Sequence, residues 1–314
     1  MNTAAAERIT TRDVADAARA VLRRHGRTFF FASHLLGSRH AARAAMLYAF
    51  CRHVDDLADE GSDPQAARTA LAGVSNALLT GRAADPWTVS ILSLQASSSL
   101  GVAPALALVA GVSSDLDTVR VADEAGLLRY AYQVAGTVGL MMCAVLDVQD
   151  PRAHPFAIDL GIAMQMTNIA RDVGEDARMG RRYLPASWIG EVPPEDIVAP
   201  DPLLQRKLRD ATRRLLAHAD RYYASAESGL GFLPARARLA ILTAARTYRA
   251  IGDRIADNGY RSWDQRAVVG STAKAGHAAK ALLAFALSPR LHRRDATHDA
   301  SLQIALSRPD HAHG

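Results

Sequence analysis

Two runs of aspartate at helical spacing constrain this chain more than any other feature. The first is Asp55, Asp56 and Asp59, inside Tyr48-Ala-Phe-Cys-Arg-His-Val-Asp-Asp-Leu-Ala-Asp59. The second is Asp172 and Asp176, inside Asn168-Ile-Ala-Arg-Asp-Val-Gly-Glu-Asp176. Acids four residues apart stack on one helix face and repel unless something neutralises them. Two such faces opposed across a cavity form a site for hard divalent cations, and therefore for a diphosphate ligand.

Helical phasing sorts the neighbouring residues. At roughly 100° per residue, Tyr48, Arg52, Asp55 and Asp59 fall within about 60° of one another. Leu47, Phe50, Val54 and Leu57 form a separate packing stripe, and Asp56 points away from both. Asp55 and Asp59 are therefore the candidate ligands, with Asp56 in a supporting or solvated position. On the later helix, Gln165, Asn168, Asp172 and Asp176 lie within roughly 80°. Ile162, Met166, Ile169 and Val173 make the adjacent apolar stripe, and Gly161 on the polar face leaves room for a ligand. A single ladder of this kind is most often a solvated surface. No Lys stands in the turns beside either ladder, although Arg171 and Arg178 are near the second, and this tilts the reading toward a cation as the neutralising group. His/Cys spacing suited to zinc is absent.

The rest of the chain reads as helix. Of its 314 residues 49% are hydrophobic, Ala, Leu and Arg are abundant, and alternating segments are few. This predicts an all-α protein with a large core. A net charge of +5 spread among acids does not point to nucleic acid. Two cysteines, Cys51 and Cys143, cannot make a disulfide framework and fit a reducing, cytoplasmic setting. Residues 1–13 lack an apolar signal core, and no window is apolar enough to span a membrane.

Predicted helices cover 12–25, 41–60, 87–111, 123–148, 155–178, 204–228, 234–258 and 272–287. A further helix starts at Asp63-Pro64. Small residues interrupt the 123–148 segment at 135–139. The proline-rich stretch 180–203 is long enough for a functional flap. Residues 1–289 form one domain, and 290–314, rich in His and Arg, read as a disordered polar tail whose His292, His298, His311 and His313 are solvated.

Five ordered segments carry a family resemblance. They are His25-Gly-Arg-Thr-Phe29, the run from Leu47 to Asp59, Tyr132-Gln-Val-Ala-Gly-Thr-Val-Gly139, the run from Gln165 to Asp176, and Gly180-Arg-Arg-Tyr-Leu-Pro185. Together they resemble the squalene/phytoene synthase family of head-to-head prenyl transferases, and most of all its bacterial phytoene synthases. Gly26 and Thr28 depart from the serines common in the family, so Gly26 offers no hydroxyl to a phosphate. Gln133 stands where squalene synthases usually carry Tyr.

The resemblance implies a single-domain isoprenoid synthase fold with a central cavity. It implies Mg²⁺, with Mn²⁺ as the alternative ion, held by Asp55, Asp59, Asp172 and Asp176 with Asn168. The reaction implied joins two geranylgeranyl diphosphates through prephytoene diphosphate into phytoene, the first committed step of carotenoid biosynthesis, without NADPH. Arg52, Arg171 and Arg181 become candidate diphosphate clamps. Tyr48, Tyr183 and Tyr248 become donors or closing contacts, Gln165 a further contact, and Phe29 with Phe30 and Phe31 candidate cavity walls. An apolar product implies peripheral contact with a membrane surface and a downstream carotenoid desaturase.

Two other readings compete. One uses farnesyl diphosphate to make dehydrosqualene, squalene or hydroxysqualene. The other is a non-catalytic assembly protein of the same fold, which would have no need to keep all four aspartates.

Overall fold

The computed structural model describes residues 11–59, 63–266 and 270–306. Among them the backbone is helical, and β pairing is limited to one bridge between Arg120 and Arg182. The chain order is α1 (Thr11–His25), α2 (Arg27–Ser33), α3 (Ser38–Asp59), α4 (Pro64–Thr80), α5 (Pro86–Ser97), α6 (Val102–Ser113), α7 (Glu124–Ala131) and α8 (Thr137–Val145). There follow α9 (Ala153–Arg178), α10 (Ala186–Ile189), α11 (Pro194–Val198), α12 (Pro202–Ser228), α13 (Ala235–Asp257) and α14 (Ser271–Leu287).

The helix starts follow capping chemistry. Asp63, Asp85, Asp123 and Asp201 each accept backbone N–H groups of the helix they precede, and proline occupies the first turn of α4, α5 and α12. The predicted single helix over 87–111 is two helices, α5 and α6. Ser98 is extended and the Ser97 and Ser98 hydroxyls donate back to carbonyls, which loosens the turn. Pro104, in the first turn of α6, removes a backbone donor that a continuous helix would need. The segment 123–148 divides likewise into α7, a π-helical turn over Tyr132–Gly136, and α8.

Helices α3 and α9 form the centre. The α3 stripe of Leu47, Phe50 and Val54 is fully buried, with α1, α5 and α8 packed around it. The α9 stripe of Ile162, Met166, Ile169 and Val173 is buried against α12 and its neighbours. A third apolar cluster joins Leu146, Phe156, Leu230, Leu233 and Leu242 to Ala281 of α14 and Leu291 beyond it.

The tail departs from expectation. Residues 290–306 are packed on the helices. Leu291 and Leu302 are buried, and the Tyr222 hydroxyl donates to the Leu302 carbonyl at 2.6 Å. The cause is Asp159 on α9, which has no solvent exposure. Its carboxylate is bonded by Ser225 Oγ, His298 Nε2 and Gln303 Nε2 at 2.5, 2.9 and 2.7 Å. A buried carboxylate demands such partners, and the tail supplies two of them. His292 is also held, between Arg238 and the Phe285 carbonyl. His311 and His313 lie outside the described residues.

Candidate active site

A cavity of about 710 Å³ runs between α2, α3, α8, α9 and α13. Its polar end carries Tyr48, Arg52, Asp55, Gln165, Asn168, Arg171 and Tyr248. Its opposite end is apolar, lined by Leu146, Phe156, Leu230, Leu233 and Ile241.

On α3, Asp55 faces the cavity. Burial, reinforced by the Asp59 charge one turn away, pushes its carboxyl up to about 7. Asp56 is half-buried and pairs with Arg52 one turn back along the helix. Arg52 therefore borders the cavity with part of its fork engaged. Burial and the nearby Tyr248 raise Tyr48 to about 12, so its hydroxyl stays a donor throughout the physiological range. Phe29 stacks on Tyr248 at 5.3 Å and tilts against Tyr48 at 6.1 Å. Phe30 packs into the core and Phe31 is exposed, so of the three only Phe29 lines the cavity.

On α9, helical geometry breaks at Asp172, with φ −105° and ψ 15°. Two positions later the Gly174 N–H donates to the Ser262 carbonyl at 3.3 Å. A side chain at Gly174 would meet the Trp263 carbonyl oxygen at 2.4 Å, so only glycine admits this loop. The loop in turn brings Arg266 Nε within 2.9 Å of Asp172, whose other partner is Arg171 Nε at 2.8 Å. Burial and the Asp172 charge push Asp176 up to about 8. The Asn168 side-chain oxygen is buried with no hydrogen-bond partner, while its nitrogen donates to Gln165 at 3.2 Å.

The stretch 180–203 begins with Gly180 at φ 75°, a left-handed turn that ends α9 and swings Arg181 toward α3. Arg181 Nη1 donates to Asp59 at 2.9 Å. Tyr183 is buried, and its hydroxyl donates to Asp115 at 2.8 Å. Tyr130 donates to the other Asp115 oxygen at 2.9 Å, with the two rings stacked at 4.8 Å. Burial raises the Asp115 carboxyl, and the two hydroxyls and Arg181 partly offset the shift. Asp115 lies within electrostatic range of Asp55, Asp59 and Asp176, so it joins the two ladders.

The structure thus brings eight of the sequence-derived residues into the wall of one cavity. Asp55, Tyr48, Arg52, Gln165, Asn168, Arg171, Tyr248 and Phe29 line it, while Asp59, Asp172, Asp176 and Arg181 stand beside it in ion pairs or close electrostatic contact. Tyr183 turns instead to Asp115. Gly161 lines the cavity, and the space a side chain there would take is filled by the backbone of the neighbouring helix. A Cβ there would meet the Ala135 carbonyl oxygen at 2.1 Å. Gly139 approaches the Ala157 carbonyl in the same way, so the small residues over 135–139 serve close packing as well as the cavity wall. Asp115, Tyr130 and Arg266 also belong to this neighbourhood, but they lie on neither ladder, so helical spacing does not single them out.

Residues 22–273 match the squalene/phytoene synthase family. The chain belongs to that family. It is 39% identical over 265 residues to a phytoene synthase of Cereibacter sphaeroides, covering 80% of this chain and 74% of that one. It is 40% identical over 246 residues to a 15-cis-phytoene synthase of a Paracoccus species, covering 74% and 78%. A dehydrosqualene synthase crystallised with a ligand superposes with a TM-score of 0.78 at 25% identity, over 87% of this chain and 96% of that one. The span matching the squalene/phytoene synthase family contains both ladders, the flap and α13. It ends within α14, so the docked tail lies beyond it.

Proposed function

We infer that this protein condenses two geranylgeranyl diphosphates head to head into phytoene, through prephytoene diphosphate. The observation that carries the reading is one mostly apolar cavity whose wall includes Asp55, Arg52, Gln165, Asn168 and Arg171, with Asp59 in charge contact with Asp55, and Asp172 paired with Arg171 and close to Asp176. The relatives named phytoene synthase, at 39% and 40% identity, favour the twenty-carbon substrate.

The donor set fits a hard divalent cation. Burial and a neighbouring aspartate raise Asp55 to about 7 and Asp176 to about 8, and a cation would favour their charged forms. The Asn168 oxygen is buried without a partner. Among the described residues no three acidic, His or Cys groups form a ready cage. Mg²⁺ takes one or two carboxylates per ion and completes its shell with water and substrate phosphate, so two opposed ladders would hold more than one ion. Asp55, Asp59, Asp172, Asp176 and Asn168 would hold it, with Mn²⁺ as the alternative. When bound it supplies Lewis-acid charge against the departing diphosphate.

The chain's own side chains do the rest. Arg52, Arg171 and Arg181 are positioned to exchange a carboxylate partner for diphosphate oxygens. Tyr48 and Tyr248 offer hydroxyls at the same end, and Phe29 lays an aromatic face beside them. The apolar end excludes water from cationic intermediates. No NADPH is needed, and a forty-carbon hydrocarbon requires a membrane surface and a desaturating enzyme to receive it. Among the described residues no helix is long and apolar enough to cross a membrane, so contact would be peripheral.

The runner-up takes farnesyl diphosphate, as the fold shared with a dehydrosqualene synthase invites. Purified protein given Mg²⁺ and each diphosphate separately, without NADPH, tests both readings. A forty-carbon product lost in Asp55→Asn and Asp172→Asn is the expected result. A thirty-carbon product would transfer the chemistry to the shorter substrate. No hydrocarbon from either would favour the non-catalytic reading.

A further inference from the structure

Helix α14 has two unlike faces. Ala281, Ala284 and Phe285 pack into the cluster that contains Leu146, Phe156 and Leu233. Those three also line the apolar end of the cavity, so α14 covers that end from outside. Its other face carries Leu282, Leu283 and Leu287, exposed by 56%, 60% and 71%. Gly276, Ala279 and Ala286 are exposed on the same side, which keeps it smooth and apolar.

The chain around this face is mainly basic. Residues 270–294 contain five lysines and arginines and no aspartate or glutamate, with Asp295 next in the chain and Arg294 in charge contact with Asp150. Lys280 is exposed on α14, and Arg290, Arg293 and Arg294 are exposed in the segment that follows it. Exposed leucines with a preponderance of nearby cations match the interfacial pattern of peripheral helices: apolar side chains enter the acyl boundary and basic ones meet anionic headgroups. Two copies of the same basic face would repel each other, which argues against a self-interface.

We propose that the outer face of α14, with the basic segment that follows it, docks this protein on an anionic lipid bilayer and sets the apolar end of the cavity against the membrane. This rests on the reading that the product is a long hydrocarbon, and it gives that product a short route out.

The test is co-sedimentation of the full chain with vesicles of phosphatidylcholine alone or mixed with phosphatidylglycerol. The mixed vesicles should bind it on the order of tenfold better, with the excess lost at high salt. Leu283→Ser combined with Leu287→Ser should weaken that binding about tenfold or more. Arg293→Gln with Arg294→Gln should weaken it on the order of fivefold per charge. Both variants should unfold at the wild-type temperature and keep wild-type turnover in detergent, since these side chains are exposed and remote from the aspartates. Equal vesicle binding by wild type and the leucine variant would overturn the proposal and leave membrane release standing. So would a wild-type dimer that the leucine variant abolishes, with no vesicle binding by either. Failure of hydrocarbon synthesis in the detergent assay would instead strike the enzymatic reading, independently of the vesicle result.

Discussion

Arg181 Nη1 donates to Asp59 Oδ1 at 2.9 Å, joining positions 122 residues apart in sequence. Asp59 is the last residue of α3, and Arg181 follows the left-handed Gly180 at the end of α9. The Arg181 N–H also donates to the Asp176 carbonyl at 2.8 Å. One residue therefore ties the ends of both ladder helices together, with its guanidinium beside the carboxylates assigned to the cation. Arg181→Ala should lower kcat/KM on the order of a hundredfold, as expected when a preorganised charge beside a developing anion is lost. Arg181→Lys should recover only part, because a single ammonium cannot reproduce the fork. Stability should change by less than about 1 kcal/mol, the usual worth of a partly exposed pair. Steady-state kinetics with thermal melts separate the two effects. A large fall in melting temperature with kcat/KM intact would reduce Arg181 to a structural tie.

The raised carboxyls make stability depend on pH in a defined direction. Asp55 and Asp176 are pushed from an ordinary aspartate value to about 7 and about 8, chiefly by burial and then by Asp59 and Asp172. A group with a raised folded value binds its proton more tightly folded than unfolded. Its contribution is fully present below the unfolded value and is lost as pH rises through the folded one. Metal-free protein should therefore lose stability from about pH 4 upward through about pH 8, apart from the titration of other groups. Asp55→Asn with Asp176→Asn should flatten that part of the profile. Mg²⁺ requires the ionised carboxylates, so its stabilising effect should grow over the same interval and its binding should release protons. Melting temperatures in chelator and in Mg²⁺ across this range test the sign. A metal-free melt that rises steadily from neutral to alkaline pH would contradict it.

Periodicity carried much of this structure because it reports burial. The stripes at Leu47, Phe50 and Val54, and at Ile162, Met166, Ile169 and Val173, are buried as their spacing requires. The opposite faces hold Asp55, Gln165 and Asn168 at the cavity. Legibility ended where the cause lay across the fold. Asp115 is defined by Tyr130 and Tyr183, from α7 and the flap. Arg266 reaches Asp172 only because a loop inserts where α9 kinks. The tail read as solvated because its composition is polar, yet its His298 and Gln303 answer Asp159, whose burial no local pattern announces.

Gly161 offers a sharp packing test. Its Cβ would sit 2.1 Å from the Ala135 carbonyl oxygen and 2.8 Å from Gly136 Cα, all backbone. Backbone cannot rotate aside as a side chain tip can, so α9 must move away from the π-helical turn. Gly161→Ala should cost about 2–3 kcal/mol or more, well above the gain of up to about 1 kcal/mol expected from helix propensity. Because the same helix bears Gln165, Asn168 and Asp172, activity should fall with it. Urea unfolding measures the first effect. A stability equal to wild type would mean that the helices separate at no cost and that close approach here is unimportant.

Asp159 links the tail to the helix that carries the second ladder. It is fully buried, and of its three side-chain partners His298 and Gln303 come from the tail while Ser225 comes from α12. Removing partners from a buried carboxylate leaves its desolvation uncompensated, a larger effect than deleting a surface contact. His298→Ala with Gln303→Ala should therefore destabilise the protein by about 3 kcal/mol or more. Adding Asp159→Asn to that pair should restore part of the loss, because a neutral amide is less costly to bury than a carboxylate. A tail that is merely adherent predicts neither effect: the double variant would unfold like wild type, and Asp159→Asn would be indifferent to what stands at 298 and 303. Urea unfolding of the four proteins, read as a coupling energy, decides between these outcomes.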